Sequence, residues 1–157
     1  LLCHNYSYLF GIKFRILRFF TVYGPWGRPD MALFKFTKNI LDGRAIDVFN
    51  HGKMIRDFTY IDDIVNGFIS AIDLDKKFEI INLGCGKPVE LMHFINLIEQ
   101  ELGLKAKKNY LPMQPGDVPA TMADISKAKS FLNYDPLTTV ESGIPSFVRW
   151  YKQHYIK

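Results

Sequence analysis

Three stretches of the chain hold residue types suited to phosphate and sugar chemistry. Arg56-Asp57-Phe58-Thr59-Tyr60-Ile61-Asp62-Asp63 is the densest polar–aromatic segment. An arginine fixed on a strand there aims its guanidinium at a phosphate through paired hydrogen bonds. The same Arg56 also reads as a solvated side chain where a strand edge runs into a capped helix. Asp117 lies in Pro112-Met113-Gln114-Pro115-Gly116-Asp117-Val118-Pro119, where a carboxylate accepts hydrogen bonds from two vicinal sugar hydroxyls. A turn-forming aspartate is the plainer reading. Tyr23-Gly24-Pro25-Trp26-Gly27-Arg28-Pro29-Asp30 is a loop with an aromatic and an arginine, a better binding candidate than most. Arg28 shares the two readings of Arg56. From residue types alone, an anionic sugar-phosphate site stands beside these plainer alternatives.

Other chemistries find little support. The sequence holds no Gly-x-Gly-x-x-Gly and no phosphate-loop pattern. Gly84-Cys85-Gly86 follows a strand and reads as a turn that ends it. No Ser–His–Asp arrangement is recognisable. His4, His51, His93 and His154 are scattered singly, which argues against a metal site. Cys3 and Cys85 match no metal spacing and no disulfide framework, so a reduced, cytoplasmic compartment is expected. Twenty Lys+Arg against sixteen Asp+Glu give a net charge of +4. That excess suits a small anionic ligand; as support for nucleic acid it is slender. No apolar run approaches the ~20 residues of a membrane span. In 157 residues, 48% hydrophobic with thirteen Phe and eight Tyr, there is material for a real core.

The elements that must position these residues alternate between strand and helix, which implies an α/β fold. Residues 1–10 read as a helix already under way, with no capping residue before it and Gly11 closing it. The missing cap leads to the expectation that the chain is the carboxy-terminal part of a longer protein. Residues 14–20 form a short apolar strand without strict alternation, as in a parallel sheet covered on both faces. A helix is expected over 31–41. Two strands, 46–49 and 53–58, are expected to join at Asn50-His51-Gly52. Asp62 reads as the N-cap of a helix with Ile64, Val65, Phe68, Ile69 and Ile72 on one stripe. A strand at 79–83, an amphipathic helix over 91–102 and a short strand at 109–111 follow. Asp124 caps a helix running to Leu132, and a last helix from Val140 must place Pro145 in its first turn or kink there.

At these same segments the chain resembles a known family. Phe19-Phe20-Thr21-Val22-Tyr23-Gly24-Pro25-Trp26-Gly27-Arg28-Pro29-Asp30-Met31-Ala32 is similar to the signature of the UDP-glucuronate 4-epimerases, nucleotide-sugar epimerases of the extended short-chain dehydrogenase/reductase superfamily. The Arg56–Asp63 segment, Asn82-Leu83-Gly84 and Gln114–Thr121 fall in the family's order and spacing. The Arg56 segment marks the superfamily, and the Trp26–Ala32 stretch the hexuronate subgroup.

The resemblance implies the carboxy-terminal portion of such an enzyme: an incomplete Rossmann sheet plus a small α/β substrate-binding lobe. Residues 1–25 would end the NAD-binding domain. Residues 26–157 would form mainly the sugar-nucleotide lobe, with 63–83 returning to the Rossmann sheet. The Gly-rich loop for NAD and the Tyr-x-x-x-Lys pair would lie upstream of residue 1, so no catalytic residue is expected here and this chain alone should be inactive. In the complete enzyme the Tyr would act as general acid/base on the 4-hydroxyl while NAD takes and returns the hydride. Thr21, where many relatives have Asn, would bond the sugar carboxylate, and Arg28 would supply positive charge beside it. Leu33 would approach the diphosphate by its backbone, and Asp47 and Phe49 would meet uracil through main-chain groups. Arg56 would hold the diphosphate and Asp117 the ribose hydroxyls. Phe19 and Val22 would line the nicotinamide side. Gln114 stands where relatives often carry Arg, so a second diphosphate charge is missing or replaced.

A homodimer is implied for the complete protein, with a UDP-sugar as substrate and neither nucleic acid nor membrane as partner. Without the rest of the sheet, uncovered edges and apolar faces should make the chain self-associate. Two other readings remain: a sugar-nucleotide dehydratase or decarboxylase of the same superfamily, and a non-catalytic module that binds sugar nucleotides.

Overall fold

The computed structural model describes residues 1–156. In chain order the elements are helix α1 (Leu2–Phe10), strands β1 (Phe14–Phe19) and β2 (Thr21–Tyr23), helix α2 (Ala32–Leu41) and strand β3 (Ala45–Val48). After a 3₁₀ turn at Phe49–Gly52 come β4 (Ile55–Arg56), β5 (Phe58–Tyr60), α3 (Ile61–Ile72) and β6 (Phe78–Leu83). Then follow β7 (Val89–Glu90), α4 (Leu91–Leu102), β8 (Lys107–Tyr110), α5 (Ser126–Leu132) and α6 (Val140–Tyr155). The fold is α/β, as the alternation of patterns implies.

The strands pair at long range. β1 and β6 run parallel, Phe14 opposite Phe78 through Phe19 opposite Leu83. β2 lies parallel to β5, and β3 parallel to β8. β4 and β7 are antiparallel. Parallel neighbours need long crossovers, which the intervening helices supply.

Two cores result. The larger gathers Phe34, Ile46, Val48, Phe58, Phe94, Ile98, Ile144, Phe147 and their neighbours from α2, β3, β5, α4 and α6. Phe58 and Phe94 stack at its centre with centroids 3.9 Å apart. Tyr23 enters this core across Gly143, where a Cβ would sit 2.3 Å from the phenol oxygen. Its hydroxyl donates to Thr139 O at 3.0 Å. The smaller core holds Ile64, Ala71, Ile81, Leu83, Ala128, Leu132 and Tyr134, so α5 and Tyr134 pack with α3 and β6.

Several expectations need correction. Residues 46–58 do not form a hairpin. After β3, Asn50, His51 and Gly52 all take left-handed φ values of 49°, 50° and 81° and swing the chain away. Leu111 N–H then donates to Val48 O and His51 N–H to Leu111 O, both at 3.0 Å. The end of β3 is thereby occupied by the segment leaving β8. Asp62 is not the cap of α3: the helix begins at Ile61, and Asp62 and Asp63 lie in its first turn, where negative charge suits the helix dipole. Asp63 is buried and accepts from Thr138 N–H at 3.1 Å. Nor does Pro145 sit in a first turn; α6 runs on through it. Asp124 Oδ1 does accept from Ser126 N–H at 3.0 Å at the start of α5. Residues 2–10 form the expected helix, closed by Gly11 at φ 68°.

Candidate sugar-nucleotide site

The site is built on the paired strands β2 and β5 and the loop that leaves β2. Thr21 opens β2, its N–H donating to Asp57 O at 3.1 Å, and Val22 follows. The loop from Gly24 to Met31 is folded by two backbone bonds, Gly27 N–H to Gly24 O at 3.2 Å and Met31 N–H to Arg28 O at 3.1 Å. It returns the chain to the first turn of α2, where Leu33 and Phe34 are buried. Thr21, Val22, Arg28 and Leu33 thus line one cleft, backed by Phe58, Phe94 and Phe147. Its enclosed space is about 30 Å³, water-sized. A sugar ring would therefore lie at the mouth.

Arg28 stands at that mouth, largely exposed. Its Nε and Nη2 fork onto Asp30 at 3.0 and 2.5 Å. That hydrogen bond holds the Asp30 carboxyl below the usual carboxylate range and raises the Arg28 guanidinium. The guanidinium is already in the two-pronged geometry that suits a carboxylate.

A second group forms on β4. The side chain of Arg56, 15% exposed, donates through Nη2 to Asp117 Oδ1 at 2.8 Å and through Nη1 to Ile55 O at 3.0 Å. Val118 N–H also donates to Asp117 Oδ1 at 2.8 Å. Residues 119–121 lie along β4, with Ile55 N–H on Pro119 O and Thr121 N–H on Ile55 O. The two residues assigned to diphosphate and ribose are therefore direct neighbours, as those groups are in a nucleoside diphosphate. Further Arg56 N–H donors remain beyond those two bonds.

Asp47 and Phe49 share neither the cleft nor the ion pair. Asp47 is exposed at the end of β3 and accepts from Asn109 Nδ2 at 3.0 Å. Phe49 is half-buried at the start of the 3₁₀ turn. Phe19 is exposed at the end of β1. Gln114 accepts the Asp117 N–H on its backbone oxygen at 3.2 Å and shapes the loop that presents Asp117.

Asp57 is the residue that the sequence reading passed over. Its side chain is wholly buried yet takes four hydrogen bonds: Cys85 N–H at 2.7 Å and Thr59 Oγ1 at 3.1 Å on Oδ1, Gly86 N–H at 2.9 Å and Ala123 N–H at 2.8 Å on Oδ2. Its own N–H donates to Thr121 Oγ1 at 3.2 Å. The Gly84-Cys85-Gly86 turn is thus an anion nest filled by a carboxylate of its own chain. Gly84 is required there, because a Cβ would stand 2.3 Å from Ala123 Cβ. Asp57 ties β4, the turn after β6 and the 121–123 segment together, and so fixes Arg56 beside it and Thr21 across the sheet. The available signal was an acidic residue between Arg56 and Phe58, with a Gly-x-Gly turn after a strand elsewhere.

Two other groups bear on chemistry. Burial pushes the Tyr23 and Tyr60 phenols up from their ordinary values, so both stay protonated near neutral pH. Burial first, and then the Asp57 charge, raise the Cys85 thiol, which makes it a poor nucleophile. Among the described residues no group of three His, Cys, Asp or Glu could hold a metal ion, and no helix is long and apolar enough to cross a membrane. For NAD, the test is Val22 in the cleft wall and the exposed ring of Phe19. Both are apolar and fit the face of a nicotinamide ring.

Parallel strands joined by helical crossovers are the architecture of the nucleotide-binding α/β class. The NAD dependent epimerase/dehydratase family model matches residues 1–84, more than half of the chain, and the chain belongs to that family. An uncharacterized protein of Methanocaldococcus jannaschii is 56% identical over 154 residues, 98% of this chain and 47% of its own length. UDP-glucuronate 4-epimerase 4 of Arabidopsis thaliana is 46% identical over 171 residues, 98% of this chain and 39% of its own. The structure of UDP-glucuronic acid 4-epimerase from Bacillus cereus, in complex with UDP-glucuronic acid and NAD, superimposes with a TM-score of 0.92 at 40% identity. The match covers 98% of this chain and 50% of that one. The chain spans about half the length of the curated relatives it matches.

Proposed function

We propose that this chain is the sugar-nucleotide-binding part of an NAD-dependent enzyme that interconverts UDP-glucuronate and UDP-galacturonate at C4. The observation that carries this reading is the cleft where Thr21, Arg28 and Leu33 converge, in a chain with a TM-score of 0.92 to an epimerase complexed with UDP-glucuronic acid and NAD.

Each residue then has a chemical task. Arg56 turns its remaining N–H donors to the diphosphate, where paired charge-assisted hydrogen bonds are strong. Asp117, its ion-pair neighbour, accepts from the ribose hydroxyls. Leu33 meets the diphosphate through the backbone of α2's first turn, where unpaired N–H groups favour an anion. Asp47 and Phe49 offer main-chain groups to uracil. Thr21 and Arg28 bind the hexuronate carboxylate at the cleft mouth, Arg28 exchanging Asp30 for it. Phe19 and Val22 shield the nicotinamide face from water. NAD, when bound, takes a hydride from the sugar and returns it. No residue of this chain is given an acid–base role, in keeping with the raised phenols of Tyr23 and Tyr60. β1, β6 and α3 are read as part of the cofactor-binding domain. The apolar row exposed on α1 (Leu2, Leu9, Phe10) supports a homodimer of the complete protein, and two free cysteines are compatible with a cytoplasmic setting.

The test is incubation of the complete protein with UDP-glucuronate and NAD, followed by proton NMR of the sugar. Build-up of UDP-galacturonate to a steady ratio is expected. Release of carbon dioxide would instead mark a decarboxylase, and an unchanged spectrum would contradict the reading.

A further inference from the structure

Trp26 is the residue of the cleft loop that the site's chemistry leaves unused. It adopts a left-handed φ of 62°, a conformation that costs a bulky residue free energy and persists only when its surroundings enforce it. The side chain is 77% exposed and lies on the surface of the last turns of α6. The indole packs against Trp150, with centroids 5.4 Å apart, and edge-on against His154 at 5.1 Å. Those two residues are four apart and lie on one helix face. His154 is itself fixed, because its Nδ1 lies 2.8 Å from Trp150 O. Trp150 in turn packs on Phe147 at 5.5 Å, and Phe147 forms the back of the cleft.

A left-handed residue inside a loop of two backbone bonds determines where the next residues go. Gly27 and Arg28 follow Trp26 directly, and the turn closed by Gly27 N–H and Gly24 O spans it. The aromatic contacts are the side-chain hold on this turn, and without them the loop keeps only its two backbone bonds. We propose that Trp26 is a positioning residue: held by Trp150 and His154, its indole keeps the Gly24–Met31 loop in the left-handed kink that places Arg28 at the cleft mouth, and so sets how well a carboxylate-bearing sugar nucleotide is told from a neutral one. This rests on the functional reading above for the ligand, whereas the clamp itself rests on geometry alone.

The substitutions Trp26→Ala, Trp26→Gly and Trp26→Phe in the complete protein separate the causes. Glycine removes the indole and also the backbone penalty, alanine removes only the indole, and phenylalanine keeps a ring. Two quantities are read. Hydrogen exchange at the Gly27 and Met31 amides should speed up by roughly tenfold in both Ala and Gly variants, with the core of α6 unchanged. The affinity ratio of UDP-glucuronate to UDP-glucose should fall on the order of fivefold in both, mostly by weaker binding of the acid, and Phe should recover most of it. A Gly variant with wild-type exchange and wild-type ratio overturns the clamp. Faster exchange with an unchanged ratio overturns the link to Arg28. If the wild type binds neither nucleotide, the functional reading fails and the discrimination falls with it, while exchange still decides the clamp.

Discussion

Phe94 on α4 is wholly buried and stacked on Phe58, whereas Phe68 on α3 is half exposed, together with Val65, Ile69 and Ile72. The two helices carry equally clear apolar stripes in the sequence. On α4 the stripe lies between α2 and α6, and Phe94, Ile95 and Ile98 are all at zero exposure. On α3 the buried face is made by Ile64, Gly67, Ala71 and Asp63, and much of the apolar stripe points outward. Periodicity reveals that a face is apolar, not what lies against it. The site follows much the same division: the cleft is backed by Phe58, Phe94 and Phe147 of the larger core, and a large share of the exposed apolar surface lies on β1, β6, α3 and α1.

The largest loss of stability is expected at Asp57. Replacing it with Ala strips the partner from three buried or half-buried backbone N–H groups and should cost about 3–5 kcal/mol of unfolding free energy, measured by denaturant titration. Phe94→Ala should cost a similar ~3–5 kcal/mol through the cavity left against Phe58. Phe68→Ser, on the open face, should change stability by less than about 1 kcal/mol. It should nonetheless lower the apparent mass of this 157-residue chain in light scattering at high concentration. A monodisperse monomer before the substitution would contradict the expected self-association.

Another effect concerns pH. Glu99 is buried at the end of α4. Burial alone would raise its carboxyl, but hydrogen bonds from Lys108, Lys105 and the Ala106 N–H outweigh that and lower it to about 2. A carboxylate depressed in the folded state stabilises the fold above its unfolded value of about 4.3. That contribution, ~3 kcal/mol, should disappear as pH falls from there toward about 2. Glu99→Gln should flatten this limb of the stability profile. The smallest change is expected at the surface pair of His93 and Glu141, 2.7 Å apart and half exposed. Glu141→Gln should cost no more than about 0.5 kcal/mol.

Much of this was legible in the sequence for local reasons. β1, α4 and α5 follow from apolar runs and periodicity, and the three stretches holding Arg28, Arg56 and Asp117 supply the cleft loop and the ion pair. What escaped is non-local. β3 looks like half of a hairpin because nothing near it reveals a partner some sixty residues on at Lys107–Tyr110. Asp57 is silent because three of its four partners are backbone amides at Cys85, Gly86 and Ala123, which carry no side-chain signature. The pairing of Arg56 with Asp117 needed the 119–121 segment to lie along β4, a contact made through one isolated bridge, Ile55 with Ala120.

The proposed function divides the labour: Arg56 would grip what all UDP-sugars share, and Arg28 would read the acid group. Calorimetry on the complete protein with UDP-glucuronate and UDP-glucose, for the wild type and the Arg56→Ala and Arg28→Ala variants, tests it most directly. Arg56→Ala should weaken both ligands by roughly 10- to 100-fold, while Arg28→Ala should weaken UDP-glucuronate by a similar factor and UDP-glucose far less. Equal losses for the two ligands in the Arg28 variant, or no loss in the Arg56 variant, would contradict the account.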